Sequence, residues 1–176
     1  MEEKNYPAHA AVESEFVITR VFAAPREIVF AAFTQPERML RWWGPPGYAV
    51  TGATMDLRPG GSYHYGLRAP DGSTTWGRFV YREIVPPQLL VYLGAFSDAS
   101  GGITRHPLRA DWPLELLTTI HFTEHVEGTM FTLRWAPLAT ATPNERQCFD
   151  ESQESMRLGW GGTLDQLASY LKTLAG

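Results

Sequence analysis

Hydrophobic and polar residues alternate along most of the chain between residues 15 and 137, in short runs separated by turn residues. In the first run Phe16, Ile18 and Phe22 share one face and Thr19 lies on the other, as in a half-buried strand. Later runs are divided by turns rich in Pro and Gly, which is typical of an antiparallel meander. We predict strands over about 15–22, 50–57, 62–67, 75–85, 89–96, 114–124 and 129–135.

The segment between the first two strands predicts two short helices. Pro25 suits the first position of a helix, and Glu27 favours the first helical turn because its charge opposes the helix dipole. The run from Thr34 to Glu37 has the spacing of a capping box with a proline inside it. We therefore expect one helix up to about Phe33 and a second that ends near Trp42.

The C-terminal segment predicts one long helix, from about Asn144 to Leu174. Thr142 and Glu145 have the spacing of a capping box, and apolar residues then recur every three or four positions on one face. Glycines interrupt this pattern at three positions, each at a cost of about 1 kcal/mol relative to alanine. Either close packing against the sheet or accommodation of a bound molecule would explain them: Gly159, Gly161 and Gly162.

These elements predict an α+β domain in which the long helix packs against a curved antiparallel sheet. We expect a single domain over 15–176, preceded by a flexible tail over 1–14, because the first residues are polar, contain Pro7 and have no periodicity. The tail resembles no signal peptide, and no later stretch reaches the roughly 18 apolar residues of a membrane span. A cytoplasmic protein with no membrane insertion is expected.

Composition excludes several kinds of partner. The net charge is −4 and the basic residues are scattered singly, so no basic stripe is available for nucleic acid. The lone Cys148 excludes an internal disulfide and a cysteine-rich zinc site. It could be a reactive thiol beside Arg146 or a small buried apolar residue. No cofactor is expected, and a homodimer is left open.

The predicted order of one strand, two helices, six strands and a long helix resembles the helix-grip fold of the START-like (SRPBCC, Bet v 1-like) superfamily. Five stretches also resemble the bacterial proteins named after the C-terminal domain of the Hsp90 ATPase activator: 22–27, 42–45, 56–61, 82–87 and 159–167. The resemblance implies a cavity between the long helix and the concave sheet, used in the superfamily for lipids, polyketides and other apolar molecules. The eukaryotic co-chaperone has an additional domain that engages Hsp90, and the residues before Glu15 are too few to supply one, so direct Hsp90 activation is not expected.

Aromatic residues are the main candidates for the wall of such a cavity, since 6 Trp, 7 Tyr and 9 Phe exceed what packing needs. The predicted apolar wall comprises Trp42, Trp43, Trp76, Phe79, Tyr92, Phe96, Trp112, Met156 and Trp160. If Gly77 points inward, period two brings Phe79, Tyr81 and Glu83 to the same side. The polar residues that could lie inside the cavity are His64, Tyr81, Glu83 and Tyr92. Alternatively, Glu83 pairs with an arginine such as Arg58.

The sequence contains no strong catalytic motif. His121 and His125 have a spacing that binds metal on a helix, but on a strand they lie about 13 Å apart, and no metal site is expected. The connection from Ser97 to Pro113 is long, and could be a lid or a variable surface loop. Binding of a small apolar or aromatic molecule is the leading hypothesis. The alternatives are an enzyme that uses His64, Tyr81 and Glu83 for dehydration, cyclisation or hydrolysis, and an Hsp90-linked co-chaperone.

Overall fold

The computed structural model describes residues 14–175. Its centre is one antiparallel sheet of seven strands in the order β1-β7-β6-β5-β4-β3-β2. The predicted strands are all present, and their ends differ from the prediction by a few residues at most. They are β1 Phe16–Phe22, β2 Ala49–Met55, β3 Ser62–Arg68, β4 Thr74–Val85, β5 Leu89–Ser97, β6 Leu116–His125 and β7 Gly128–Pro137.

The first strand pairs with the last strand and forms one edge of the sheet. β1 pairs with β7 along its whole length, whereas β2 lies at the opposite edge. The chain crosses between these edges through α1 (Arg26–Thr34) and α2 (Pro36–Trp42). The predicted capping box at Thr34 is wrong: Thr34 ends α1 and donates its hydroxyl to the Phe30 carbonyl at 2.9 Å, and Gln35 precedes α2 without a side-chain cap.

The predicted long C-terminal helix is two helices, α3 (Pro143–Glu151) and α4 (Gln153–Leu174). The capping box of Thr142 and Glu145 is confirmed at the start of α3. Ser152 interrupts the helix with φ −95° and ψ 4°. Its amide donates to the Phe149 carbonyl at 3.1 Å, one residue short of the helical register, and its hydroxyl donates to the Cys148 carbonyl at 2.6 Å. Ser152 thus provides hydrogen bonds to two backbone carbonyls at the junction between α3 and α4.

Phenylalanines fill the concave face of the sheet beneath α1. Phe33 packs on Phe131 and Phe122 with ring centroids 5.4 and 5.5 Å apart, and Phe30 lies 5.3 Å from Phe122. These four rings are buried, and α4 completes the layer with Leu164, Leu167 and Leu171. We refer to this part of the core as the closed end.

β4 contains a bulge that overturns the simple period-two prediction. Tyr81 pairs with Tyr92, but Glu83 pairs with Val91, so Arg82 is an extra residue in the ladder. Arg82 and Glu83 are consequently both exposed, and Ile84 packs against the core in place of Glu83. The expected pair of Glu83 with Arg58 is also wrong, because Arg58 binds Asp56 at 2.9 Å.

Most of the predicted tail lies outside the described residues. Its last residue, Ser14, is buried, and its hydroxyl donates to Asp150 of α3 at 3.0 Å. No helix within residues 14–175 is both long and apolar enough to cross a membrane.

Candidate functional site

A cavity of about 550 Å³ lies between α4 and the part of the sheet away from the closed end. Its floor comes from the concave face of β3, β4 and β5, with one residue each from β6 and β7, and α4 forms its roof. The loop after α2 and the connection between β5 and β6 complete the rim. The apolar lining includes Trp43, Tyr65, Leu67, Phe79, Tyr92, Phe96, Trp112, Leu116, Trp135, Met156 and Trp160.

Glycines keep the floor of the cavity low. A Cβ atom at Gly77 would lie 2.6 Å from the Tyr65 hydroxyl, so the Tyr65 ring occupies the place where a side chain would be. A Cβ atom at Gly94 would meet its nearest neighbour, Tyr92, only at 3.7 Å. Gly94 therefore has room for a methyl group at ordinary contact distance from its neighbours.

The three glycines of α4 have different roles. A Cβ atom at Gly162 would approach Pro46 to 3.1 Å, which is the close packing that we considered from the sequence. Gly159 and Gly161 have no heavy atom within 4 Å of that position. Gly159 borders the cavity and Gly161 does not. Close packing therefore explains one glycine, and open space beside the cavity is found at another.

Trp160 connects the roof of the cavity to its rim at Trp43 and to its floor at Trp135. Its ring centroid lies 5.7 Å from that of Trp43 and 5.8 Å from that of Trp135, both in edge-on geometry. Trp43 in turn packs edge-on against Tyr65 at 5.7 Å and Phe79 at 5.4 Å. Such contacts hold aromatic rings firmly, so the wall has a defined shape.

Hydrogen-bond donors are placed in this aromatic wall. Trp43 is buried, and its Nε1 makes no well-formed hydrogen bond within residues 14–175, although it lies close enough to the Tyr65 hydroxyl to favour the Tyr65 phenolate. Burial raises the pKa of Tyr65 to about 12, and burial also raises the pKa of Tyr92 well above its ordinary value. Both phenols therefore stay protonated at neutral pH, and they remain available as donors.

Positive charge lies at one end of the cavity. Arg109 is the only lining residue in the described chain with a permanent charge, and its Nη1 donates to the Ser152 hydroxyl at 2.6 Å. His106 lies beside it and packs on Phe96 at 4.6 Å. Burial, followed by the charge of Arg109, lowers the pKa of His106, so its imidazole is neutral at pH 7.

The connection between β5 and β6 is fastened to the helices rather than free. Arg105 pairs with Glu145 of α3 and donates to the Trp112 carbonyl at 3.3 Å. Trp112 lies under this connection and packs on Phe149 at 5.9 Å. The connection forms a wall of the cavity, and the hypothesis that it acts as a lid stays a prediction.

The structure brings eight of the twelve predicted site residues to the cavity lining: Trp43, Trp76, Phe79, Tyr92, Phe96, Trp112, Met156 and Trp160. Trp76 differs from the others. Strand alternation puts its side chain opposite to Gly77, and it stacks on His64 with centroids 5.0 Å apart. Trp76 thus contributes its backbone side to the cavity and its ring to the convex face.

The other four predicted residues lie elsewhere. Trp42 is buried against α1, where its Nε1 donates to the Ala32 carbonyl at 3.0 Å. His64 faces the convex side and bonds to the Asp98 carbonyl at 3.1 Å. Tyr81 is buried beside Tyr92 but does not border the cavity, and the bulge after it exposes Glu83. His64, Tyr81 and Glu83 consequently do not meet.

The lining residues that sequence reasoning missed include Tyr65, Gly94, His106, Arg109 and Trp135. Period two could have found Tyr65, Gly94 and Trp135, because they alternate with outward residues on predicted strands. His106 and Arg109 lie in an irregular connection, where no periodicity indicates which way a side chain points. They could not have been found by that signal.

The remaining chemical candidates lie away from the cavity. Cys148 is buried in α3, and its reactivity stays a prediction. His121 is exposed on β6, and His125 at the end of that strand accepts from the Glu127 amide at 3.1 Å. Within residues 14–175 no three metal-binding side chains lie together.

Solved structures of bacterial proteins share this architecture. A protein from Mycobacterium smegmatis is 27% identical over 89% of this chain and 90% of its own, with a TM-score of 0.71. A protein from Nitrosomonas europaea is 22% identical over 93% and 97% with a TM-score of 0.73, and one from Arthrobacter aurescens is 24% identical over 92% and 88% with a TM-score of 0.75. No curated protein is significantly similar to the chain in sequence.

The sequence pattern of one protein family covers most of the chain. It matches residues 23–172, from the end of β1 almost to the end of α4, and so includes every element that lines the cavity. The chain therefore belongs to the family described as Activator of Hsp90 ATPase homolog 1-like protein.

Proposed function

We propose that this protein binds a small apolar or aromatic molecule in the cavity between α4 and the sheet. The observation that carries the proposal is a hollow of about 550 Å³ whose lining is mainly apolar and rich in aromatic residues. Ligand pockets commonly measure about 300–1,000 Å³ and combine an apolar lining with a few polar groups. The size and chemistry of this cavity agree with both expectations.

Packing energetics favour an occupant. Protein interiors are normally filled to the density of organic crystals, as at the closed end of this core. Apolar surface that a ligand removes from water contributes about 25 cal/mol per Å². The apolar surface that lines the cavity therefore represents binding free energy that a molecule of matching shape would gain.

Buried donors would orient that molecule. The indole N–H of Trp43 makes no well-formed hydrogen bond in the described chain, and a buried unpaired donor costs about 1–3 kcal/mol. The Nε1 atom is itself buried, so the Trp43 side chain has to turn before a ligand oxygen can accept from it, and binding would then remove this cost. A molecule with an apolar body and one or two acceptors is the expected class.

The structure offers less support for the two other functions considered from the sequence. An enzyme that uses His64, Tyr81 and Glu83 would need them to converge, and they lie in three separate environments. A co-chaperone role is suggested only by the family description. Cytoplasmic location and a homodimer stay predictions from the sequence.

Fluorescence titration with N-phenyl-1-naphthylamine, which brightens in apolar surroundings, tests the proposal. We expect saturable binding at one site per chain. Gly159→Leu should weaken binding at least tenfold, because position 159 borders the cavity and the added side chain would occupy space that the ligand needs. Gly161→Leu is the matched control, since Gly161 also has open space on α4 but does not border the cavity. Absence of saturable binding, or equal loss in both variants at equal stability, would contradict the proposal.

A further inference from the structure

We propose that the ligand is an organic acid with an aromatic or aliphatic body, whose anionic group binds Arg109 at the mouth of the cavity. This inference rests on the proposed function and narrows it to one chemical class. Within residues 14–175, Arg109 is the one lining residue with a permanent charge.

The charge around the cavity is one-sided. Arg109 borders it, and no aspartate or glutamate of the described chain does. Arg109 is exposed at the mouth, and a single cation beside low-dielectric walls attracts an anion more strongly than one on an open surface does. An apolar molecule that enters this mouth therefore meets positive charge that no lining carboxylate neutralises.

Arg109 is fixed without being neutralised. Five arginines of the described chain pair with carboxylates, among them Arg105 with Glu145, whereas Arg109 forms no such pair within residues 14–175. Its hydrogen bond goes to the neutral hydroxyl of the buried Ser152. A guanidinium has five N–H donors in a planar fork that suits a carboxylate, so most of its donors remain for a ligand.

His106 supplies a second donor at the same end. Its Nδ1 accepts a hydrogen bond from the Leu108 amide at 3.0 Å, so in the neutral ring the proton lies on Nε2. The ring also lies against Phe96 and Trp112 and is part of the cavity lining. Arg109 and His106 together present donors and no acceptor carboxylate, as an anion site requires.

The geometry of α4 sets the length of the molecule. Arg109 is tied to Ser152 at the start of α4, and the cavity then follows the helix from Met156 to Thr163. Seven residues of helix span about 10 Å. Trp43 packs on Trp160 towards that far side. A body of about two fused rings, or a medium-length alkyl chain, would reach from Arg109 to the Trp43 indole.

A displacement experiment with a matched pair of ligands tests the inference. Dodecanoate and dodecan-1-ol, below their aggregation limits at pH 7.5, compete with bound N-phenyl-1-naphthylamine. The measured quantity is the ratio of their dissociation constants. Because both ligands have the same alkyl chain, changes in the binding of that chain cancel in the ratio. We expect Arg109→Gln to reduce the preference for the acid at least fivefold, and Arg109→Lys to retain part of it.

Two further variants separate a charge contact from a positional effect. Arg82→Gln removes an exposed arginine far from the cavity lining and should leave the ratio unchanged. Ser152→Ala removes the partner of Arg109 but keeps its charge, and should retain most of the preference for the acid. An equal loss in Ser152→Ala and Arg109→Gln would overturn the inference, because the position of the loop rather than the charge would then determine the ratio.

The outcomes distinguish this inference from the proposed function. Displacement by dodecanol with no change of the ratio in Arg109→Gln would overturn the acid class and leave apolar binding intact. No binding of the naphthylamine or of either competitor would overturn both.

Discussion

Two adjacent tryptophans mark the difference between the two ends of the core. Trp42 lies towards the closed end, where its indole N–H donates to the Ala32 carbonyl at 3.0 Å. Trp43 lies in the cavity wall, and its N–H makes no well-formed hydrogen bond within residues 14–175. The same side chain is fully satisfied in one environment and left unpaired one residue later. The closed end is built for stability, and the cavity end keeps space and donors that the fold does not use.

Composition follows the same division. The closed end is filled by phenylalanines, which carry no polar atom, beneath α1 and α4. The cavity end is lined by Trp and Tyr and kept open by glycines on its floor and roof. Variants that change one end should therefore affect stability, and variants that change the other should affect binding.

The largest expected effect on stability is at the closed end. Phe131→Ala should cost about 3–5 kcal/mol, because the ring is fully buried between Phe33 and Phe122 and a void would remain. Phe96→Ala at the cavity end should cost much less, about 1 kcal/mol, since that ring is only partly buried. Urea unfolding of both variants measures the difference, and equal losses would contradict the division of the core.

Added volume provides the reverse test. Ala32→Leu should destabilise the protein by about 1–3 kcal/mol, because Ala32 is fully buried at the closed end and overpacking forces shifts. Gly94→Leu should leave the unfolding free energy within about 1 kcal/mol, since its Cβ atom would meet Tyr92 at the ordinary contact distance of 3.7 Å and the rest of the side chain would extend into the cavity that Gly94 borders. It should nevertheless weaken naphthylamine binding at least tenfold. Strong destabilisation by Gly94→Leu would show that the floor is closely packed.

The sequence predicted the fold well and the site in part, for physical reasons. Alternation and helical spacing reflect burial on one face, so the strands, α1, α2 and the stripe of α4 could be read directly. Local departures from the strand and helix periods could not be predicted: the bulge at Arg82 exposed Glu83, and Ser152 divided the last helix. Arg109 lies in an irregular connection, whose side-chain directions depend on tertiary contacts alone.

A smaller and pH-dependent effect is expected where that connection is fastened to α3. The hydrogen bond from Arg105, with the Thr142 amide, holds the pKa of Glu145 below its ordinary value of 4.5. The folded state therefore favours the carboxylate, so its contribution is complete above about pH 4.5 and is lost as pH falls through the lowered pKa. Glu145→Gln should cost about 1 kcal/mol at pH 7.

Urea unfolding between pH 3 and pH 7 measures this contribution. The difference between the wild type and Glu145→Gln should shrink towards acid pH, because the wild-type carboxyl is then protonated as well. Thr142→Ala provides a comparison, because it removes an uncharged N-cap hydroxyl from α3. Its cost of about 1 kcal/mol should change less with pH. A wild-type advantage that stays constant down to pH 3 would contradict the assignment to Glu145.

The smallest expected effect is a gain. Gly159→Ala and Gly161→Ala should each raise the unfolding free energy by up to about 1 kcal/mol, because alanine favours a helix and no atom lies within 4 Å of the added methyl group. Without ligand the two variants should be alike. With saturating naphthylamine, Gly159→Ala should gain less stabilisation than Gly161→Ala, because only position 159 borders the cavity. Identical stabilisation of both variants by the probe would argue against a site under α4.

A crystal structure of the protein grown with N-phenyl-1-naphthylamine would locate the binding site itself. We expect density for the naphthyl rings under α4, in contact with Trp43, Phe79 and Trp160, with the closed end unchanged. Probe bound only on the outer surface, or side chains that have collapsed to fill the space under α4, would contradict it.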